Sequence, residues 1–412
     1  MMTLAVLVTA CRNDDVIDDM KPAPEKDDSR VLAQGKTVLV YLAGKNNLTD
    51  SLNADLEEIK VGSRRISDDQ NLLVFVRRNR EPREIPWLAR IRNGQVTDSV
   101  SLKDMGIKGS DGQMRACDPV VMEGVLQYVF SHYPASDGYG LVLGGHGCGW
   151  LIMDEVNKPQ TRAYGVDYGE YIGSTDERWI NITTLAELLR GFPHLKYIMA
   201  DCCNFMCLEN LYELRDVCDY IIGSPAEIPS QGAPYNQIVP DLFADGRFYA
   251  NIVEKYYNSI HGELPLTVVK TSEMERVAQA SRQAMQVAKA TIGEGYADIT
   301  GMIHYYYTHQ RFTFDPAYNI FYDAGDFFLA YTPKEVYQQW RQALDQAIVD
   351  YRMATYWSTD KFWRYMYSDF IVTKEKMHGV SMFVPQDPAG GDYAQYNEDI
   401  KQLEWWKVVC EG

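Results

Sequence analysis

Five short runs of consecutive apolar residues set the strongest limit on how this 412-residue chain folds. They are Thr37–Ala43, Asn71–Val76, Tyr139–Leu143, Lys196–Ala200 and Tyr220–Gly223, rich in aliphatic and β-branched side chains. A strand with one wet face alternates apolar and polar residues. A strand without that alternation is covered on both faces, as in a parallel sheet. Helical patterns separate the runs: Leu52, Leu56 and Ile59 with Thr49 or Asp50 as cap, then Pro119–Tyr133, Thr184–Arg190 and Met206–Arg215. Trp87–Arg92 and Gln95–Leu102 flank Asn93-Gly94, the strongest short signal for a hairpin. The order predicts an α/β fold, a mostly parallel sheet with helices on both faces.

The rest of the chain divides by composition. Residues 1–11 (MMTLAVLVTAC) hold an apolar core too short to span a bilayer but suited to a secretory signal, and they end in small residues before Cys11. Residues 12–33 are acidic and almost free of large apolar groups, so they are expected to form a disordered tether. The strand and helix alternation occupies residues 34–245, the expected catalytic unit. Residues 246–412 read as an accessory region, mainly helical, with a late strand at Gly379–Val384. Aromatic clusters at Tyr305–Tyr307, Phe327-Phe328 and Tyr365–Tyr367 are expected to pack as core. The net charge of −17 repels phosphate backbones, which argues against a nucleic-acid partner and favours cationic ligands.

In parallel α/β sheets ligands meet the loops beyond the carboxyl ends of the strands. Two segments follow strands directly. Gly144-Gly145-His146-Gly147-Cys148-Gly149-Trp150 surrounds a histidine with glycines, which allow a close approach of backbone to substrate. Asp201-Cys202-Cys203-Asn204-Phe205-Met206 carries a cysteine out of a strand toward a helix, whose N-terminus is expected to lower the thiol pKa. A thiolate and an imidazole together suffice for acyl transfer. His146 precedes Cys203 by 57 residues. No HExxH, Walker or GxGxxG motif competes.

The strand and His-Gly-x-Gly-Trp segment at 139–150, with Asp201–Glu209, resembles the clostripain family of cysteine peptidases, relatives of caspases, legumains and gingipains. Family members typically read Asp-Ala-Cys-Leu-Met-Ala-Ser-Val-Glu at the second segment. Cys203 matches the nucleophile and Cys202 replaces the alanine. Lys45-Asn46-Asn47-Leu48, Leu211–Asp219 and Gly379–Pro385 also look like the family. Gly144-Gly145 and Cys148 depart from its usual pattern, and Cys148 and Cys202 set extra thiols beside the nucleophile, open to oxidation.

The resemblance implies a caspase-like sheet, Cys203 as nucleophile and His146 as general acid and base, with the backbone N–H groups of Gly147 and Cys203 as oxyanion donors. It implies cleavage of peptides and proteins after Arg or Lys, with Asp201, Glu227 and Ser224 around the substrate side chain; the other reading of Asp201 is a helix cap. Self-cleavage is expected in the long polar connection 151–183, at Lys158 or Arg162. No cofactor is required. Calcium is a candidate by resemblance only, with Asp154, Glu155, Asp167 and Asp176 as acidic residues in reach, and no metal residue is assigned. Cys11 resembles a lipobox cysteine, which implies a lipid anchor in a bacterial envelope, at the outer membrane or cell surface. The competing reading is an inactive surface lipoprotein of the same fold that binds peptide or glycan.

Overall fold

The computed structural model describes residues 35–80, 84–152, 164–169, 176–305, 320–354, 357, 372–389 and 393–411. Cys11, the signal, the tether, Asp154, Glu155, Lys158, Arg162, Tyr306, Tyr307 and the Tyr365–Tyr367 cluster lie outside them.

All five apolar runs are strands. They are β1 (Thr37–Gly44), β2 (Asn71–Arg78), β5 (Tyr139–Gly145), β8 (Leu195–Asp201) and β9 (Cys218–Gly223), with the hairpin β3 (Trp87–Arg92) and β4 (Gln95–Ser101) between the second and third. Asn93 and Gly94 turn that hairpin, both with positive φ. The small hairpin β6 (Tyr164–Asp167) and β7 (Arg178–Ile180) follows β5. Among the described residues the large sheet has nine strands. It includes β10 (Leu266–Lys270) and β12 (Ile348–Arg352), and its order is β12-β10-β9-β8-β5-β1-β2-β3-β4. The central pairs β9·β8, β8·β5, β5·β1 and β1·β2 are parallel, and antiparallel strands extend both edges. β1 is buried along its whole length, which is why its sequence shows no alternation.

Helices cover the sheet. α1 (Thr49–Ser63) packs on α5 (Tyr235–Leu242), and α5 packs on α6 (Phe248–Ser259). A second succession of contacts joins α2 (Pro119–His132), α3 (Ile182–Arg190), α4 (Leu208–Glu213) and α7 (Met274–Ile292). Two further helices, α8 (Ala324–Tyr331) and α9 (Lys334–Ala347), bury Phe327, Phe328 and Trp340, the aromatic core expected there.

Four expectations change. The region after residue 245 is largely helical, but β10 and β12 also carry the sheet across that boundary. LTVVK and IVDYR are too short to announce themselves, and β10 pairs with a strand more than 40 residues earlier. The late strand shrinks to β13 (Ser381–Met382), paired with β11 (Tyr322–Asp323). α1 is entered from Leu48, not capped by Thr49 or Asp50: Asn46 Oδ1 accepts the Leu48 N–H at 2.8 Å, and the Thr49 hydroxyl turns back to the Gly44 carbonyl. The connection after residue 150, expected as an aperiodic loop, contains β6 and β7, because Tyr164 and Val166 are buried against the sheet.

Candidate active site

Register brings the two motifs together. Ala43 of β1 faces Gly145 of β5, and Gly144 of β5 faces Asp201 of β8. The segments leaving these three adjacent strands therefore emerge at one edge: Lys45–Leu48, His146–Trp150 and Cys202–Met206.

The contact between the last two is close. A Cβ placed on Gly147 would lie 2.6 Å from the Cys203 carbonyl oxygen and 3.1 Å from Cys202 Sγ, so only glycine fits there. Asn204, with φ of +54°, makes the turn that sends the chain away from Cys203. Non-glycine residues enter that region at a cost, and asparagine pays the least among them. Its side-chain amide donates to the carbonyls of Pro225 and Tyr305, and its backbone N–H to Ala226, which holds the turn in place.

The loop after β9 wraps the thiol. Ile228 N–H donates to Cys203 Sγ at 3.2 Å, and Glu227 stands near enough to act on the thiol electrostatically. Ser224 is fully buried; its hydroxyl accepts the Ala226 N–H and supports the loop from beneath.

His146 is partly exposed at the mouth. Its Nε2 meets Asn47 Oδ1 at 2.7 Å, and its ring lies 6.3 Å from that of Trp179. The carbonyl of His146 accepts the Gly165 N–H at 2.8 Å, tying β6 to the site. Among the described residues no hydrogen bond is donated by the Gly147 or the Cys203 backbone N–H.

The electrostatics reverse one expectation. Met206 pairs its backbone with Ser224 and Ser381, which delays α4 to Leu208, five residues beyond Cys203. The start of α4 therefore does not directly follow the nucleophile candidate. Burial, reinforced by the negative charge of Glu227 and by Cys148, pushes the Cys203 thiol well up. Burial lowers His146 to about 4. At neutral pH these shifts leave Cys203 as a thiol and His146 as a neutral imidazole.

Asp201 lies at the end of β8, 6% exposed. It does not cap α4. Its carboxylate accepts from Ala233 N–H (3.1 Å), Tyr235 OH (2.9 Å) and Tyr256 OH (2.7 Å). Asp55 of α1 faces it, and burial with the Asp201 charge raises Asp55 to about 9. The three donors mark Asp201 as the ionised partner, although burial raises its pKa as well. Trp179, Asp55 and the two tyrosines escaped the sequence reading, and Asn47 entered it only within the family-like segment Lys45–Leu48, with no role assigned. Only Asn47 carried a signal, adjacent to a strand end.

Of the acidic residues considered for calcium, Asp154 and Glu155 lie outside the described residues, and Asp167 and Asp176 are engaged by other partners. Asp167 is bound by Arg77 and by the N–H groups of Ala116 and Gly169, and Asp176 by Arg115 and Arg178. Among the described residues no three His, Cys, Asp or Glu side chains form a ligand group. All described cysteines are free, with Cys202 buried beside the nucleophile candidate.

Comparison with known proteins adds relatives. A profile of the clostripain family matches residues 40–410. A secreted C11 cysteine protease from Bacteroides thetaiotaomicron, solved with an irreversible peptide inhibitor, is 26% identical, with 92% of this chain and 99% of that one covered at a TM-score of 0.69. An inactive zymogen C11 protease from Parabacteroides distasonis is 25% identical, with 92% and 99% covered at a TM-score of 0.72. A further secreted C11 cysteine protease from B. thetaiotaomicron shares the fold at 21% identity, 92% and 100% coverage and a TM-score of 0.62. No curated protein sequence matches the chain.

Proposed function

This chain belongs to the clostripain family and is a cysteine peptidase, and from that premise we propose that Cys203 and His146 cleave peptide bonds after Arg or Lys. The observation that carries the assignment is the packing of Gly147 against the Cys203 carbonyl, which holds the histidine and cysteine segments in one crevice.

Sγ of Cys203 attacks the scissile carbonyl carbon while its proton passes to His146. The oxygen, now negative, accepts the N–H groups of Gly147 and Cys203. Collapse breaks the C–N bond as His146 returns the proton to the leaving amine, leaving a thioester. Water, deprotonated by His146, then adds to the thioester and releases the acid and the thiol. Every group used belongs to this chain.

Acidic groups support the preference for a basic side chain. Glu227 borders the thiol and meets the guanidinium or ammonium first, with the Asp201 carboxylate beneath. Ser224 shapes the wall by holding its loop. Fluorogenic peptides with Arg, Lys, Asp or Leu before the reporter test the reading against Cys203→Ala. Cleavage of the Arg and Lys peptides by the wild type alone is expected; turnover of Leu in preference to Arg defeats the specificity.

The same reading makes the protein a zymogen that cuts itself at Lys158 or Arg162. Its support is the zymogen description of the P. distasonis relative. A Cys203→Ala protein that stays whole while the wild type is nicked is the expected result. Location follows the N-terminal pattern: Cys11 carries a lipid that fixes the enzyme to the outer membrane or cell surface. The secreted B. thetaiotaomicron relative supports a site beyond the cytoplasm. Lipid labelling lost in Cys11→Ser is the test.

A further inference from the structure

We propose that Asn47 is a positioning residue of the reaction, its side-chain oxygen accepting the Nε2–H of His146 so that Nδ1 is the nitrogen that exchanges protons with Cys203 and the leaving amine. The proposal rests on the assignment of His146 as acid and base.

The geometry has three parts. First, Nε2 and Asn47 Oδ1 are 2.7 Å apart, a hydrogen-bond distance that needs one hydrogen between two atoms with lone pairs. Asn47 Oδ1 has none to give, so Nε2 carries it, and Nδ1 is left with the free lone pair. An imidazole in the other tautomer would present an N–H to the thiol and could not accept its proton.

Second, Asn47 is exposed, yet the loop that bears it is not loose. The preceding Asn46 is 1% exposed, and its amide donates to Ala43 O (2.9 Å) and Val166 O (2.8 Å) while its oxygen accepts the Leu48 N–H (2.8 Å). The Thr49 hydroxyl bonds the carbonyls of Gly44 and Asn46. Residues on both sides of Asn47 are therefore fixed to β1 and β6, which places the Asn47 amide on a rigid base.

Third, the imidazole must accept a positive charge when Cys203 gives up its proton, in a setting that otherwise disfavours that charge. An amide oxygen on Nε2 stabilises the imidazolium as it forms. A neutral amide does so without holding the histidine charged beforehand, which a carboxylate would do.

Three variants test this, read by kcat, KM and the acidic limb of the pH profile on the peptide that the wild type cleaves best. Asn47→Ala is expected to lower kcat about 10- to 100-fold with KM nearly unchanged. It should also slow alkylation of Cys203 by iodoacetamide. Asn47→Asp is expected to restore much of kcat and to move the acidic limb up by about one pH unit, since a carboxylate favours imidazolium. A role confined to loop stability would lower activity in both and leave the limb where it was. His146→Ala separates the proposal from its premise. If that variant keeps wild-type kcat, the assignment of the base fails. If His146→Ala is inactive while Asn47→Ala keeps wild-type kcat, the role of Asn47 is overturned. An Asn47→Asp limb that coincides with the wild type overturns it equally.

Discussion

Asp201 and Asp55 flank Gly232: a Cβ at that glycine would sit 2.9 Å from Asp201 Oδ2 and 3.6 Å from Asp55 Oδ1. Two carboxyl groups from β8 and α1 thus share one pocket of the interior, and among the described residues the hydrogen-bond donors go to Asp201. Asp55 is left holding a proton well above the usual carboxylate range.

That proton has a stability consequence. A carboxyl raised from 3.8 to about 9 in the folded protein favours folding while it is protonated, so its contribution is complete below about pH 4 and is lost as pH rises toward 9. Asp55→Asn cannot ionise. It is expected to melt higher than the wild type at pH 8.5, by about 1–2 kcal/mol of stability, and to show the smaller decline between pH 5 and 9. Parallel melting curves by calorimetry across that range defeat the account.

Gly147 admits no side chain. Gly147→Ala pushes a methyl into the Cys203 carbonyl and the Cys202 side chain. Overpacking of this kind costs about 1–3 kcal/mol, and the shift falls on the proposed nucleophile and on a proposed oxyanion donor at once. The expected outcome is a folded protein with kcat reduced at least about 100-fold. Normal turnover by this variant means that the two backbones are not held as described.

The lowered His146 predicts the shape of the pH profile. A general base works only when neutral, so kcat/KM of the free enzyme should rise with pH through about 4 and be flat between 6 and 8. An acidic limb near 6.5, the ordinary histidine value, shows an imidazole that is solvated and not buried.

Glu227 has two opposed effects, which one variant separates. Its charge raises the thiol pKa of Cys203 and, in the proposed recognition, attracts the basic side chain of the substrate. Glu227→Gln should be alkylated faster by iodoacetamide while its kcat/KM for Arg peptides falls about 10-fold. A variant changed in neither respect places Glu227 outside the site.

Asn204 turns the chain at positive φ while its amide makes two buried hydrogen bonds. Asn204→Ala loses both and adds strain, for a cost of about 2–4 kcal/mol in thermal unfolding. Asn204→Gly, relieved of the strain, should fall between the two. An alanine variant as stable as the wild type excludes the turn as a stored constraint.

What the sequence could show by itself was local or periodic. An apolar run without alternation is a strand buried on both faces wherever it sits, so β1, β2, β5, β8 and β9 were legible. Asn93-Gly94 specifies its hairpin because the backbone conformation there suits few other residues. A histidine and a cysteine at the ends of two such strands leave the same edge once the strands are parallel neighbours, which is why His146 and Cys203 could be read as candidates from the sequence. Strands β10 and β12, which extend the sheet beyond β9, were not legible, because their short segments become strands only by pairing with partners far along the chain.

The environment of the site was decided by the tertiary structure alone. Asn47 reaches His146 across 99 residues, and Asp55 of helix α1 meets Asp201 at the end of strand β8; no local pattern encodes either contact. The thiol of Cys203 shows the reason. Its neighbours along the chain suggested a helix terminus and a lowered pKa. Packing buried the thiol, brought Glu227 from the next strand's loop and delayed the helix, so the shift runs upward. Which residues are candidates for the chemistry follows from type and order along the chain. Their protonation depends on solvent exclusion and on charges a few ångströms away, which exist only once the chain has folded.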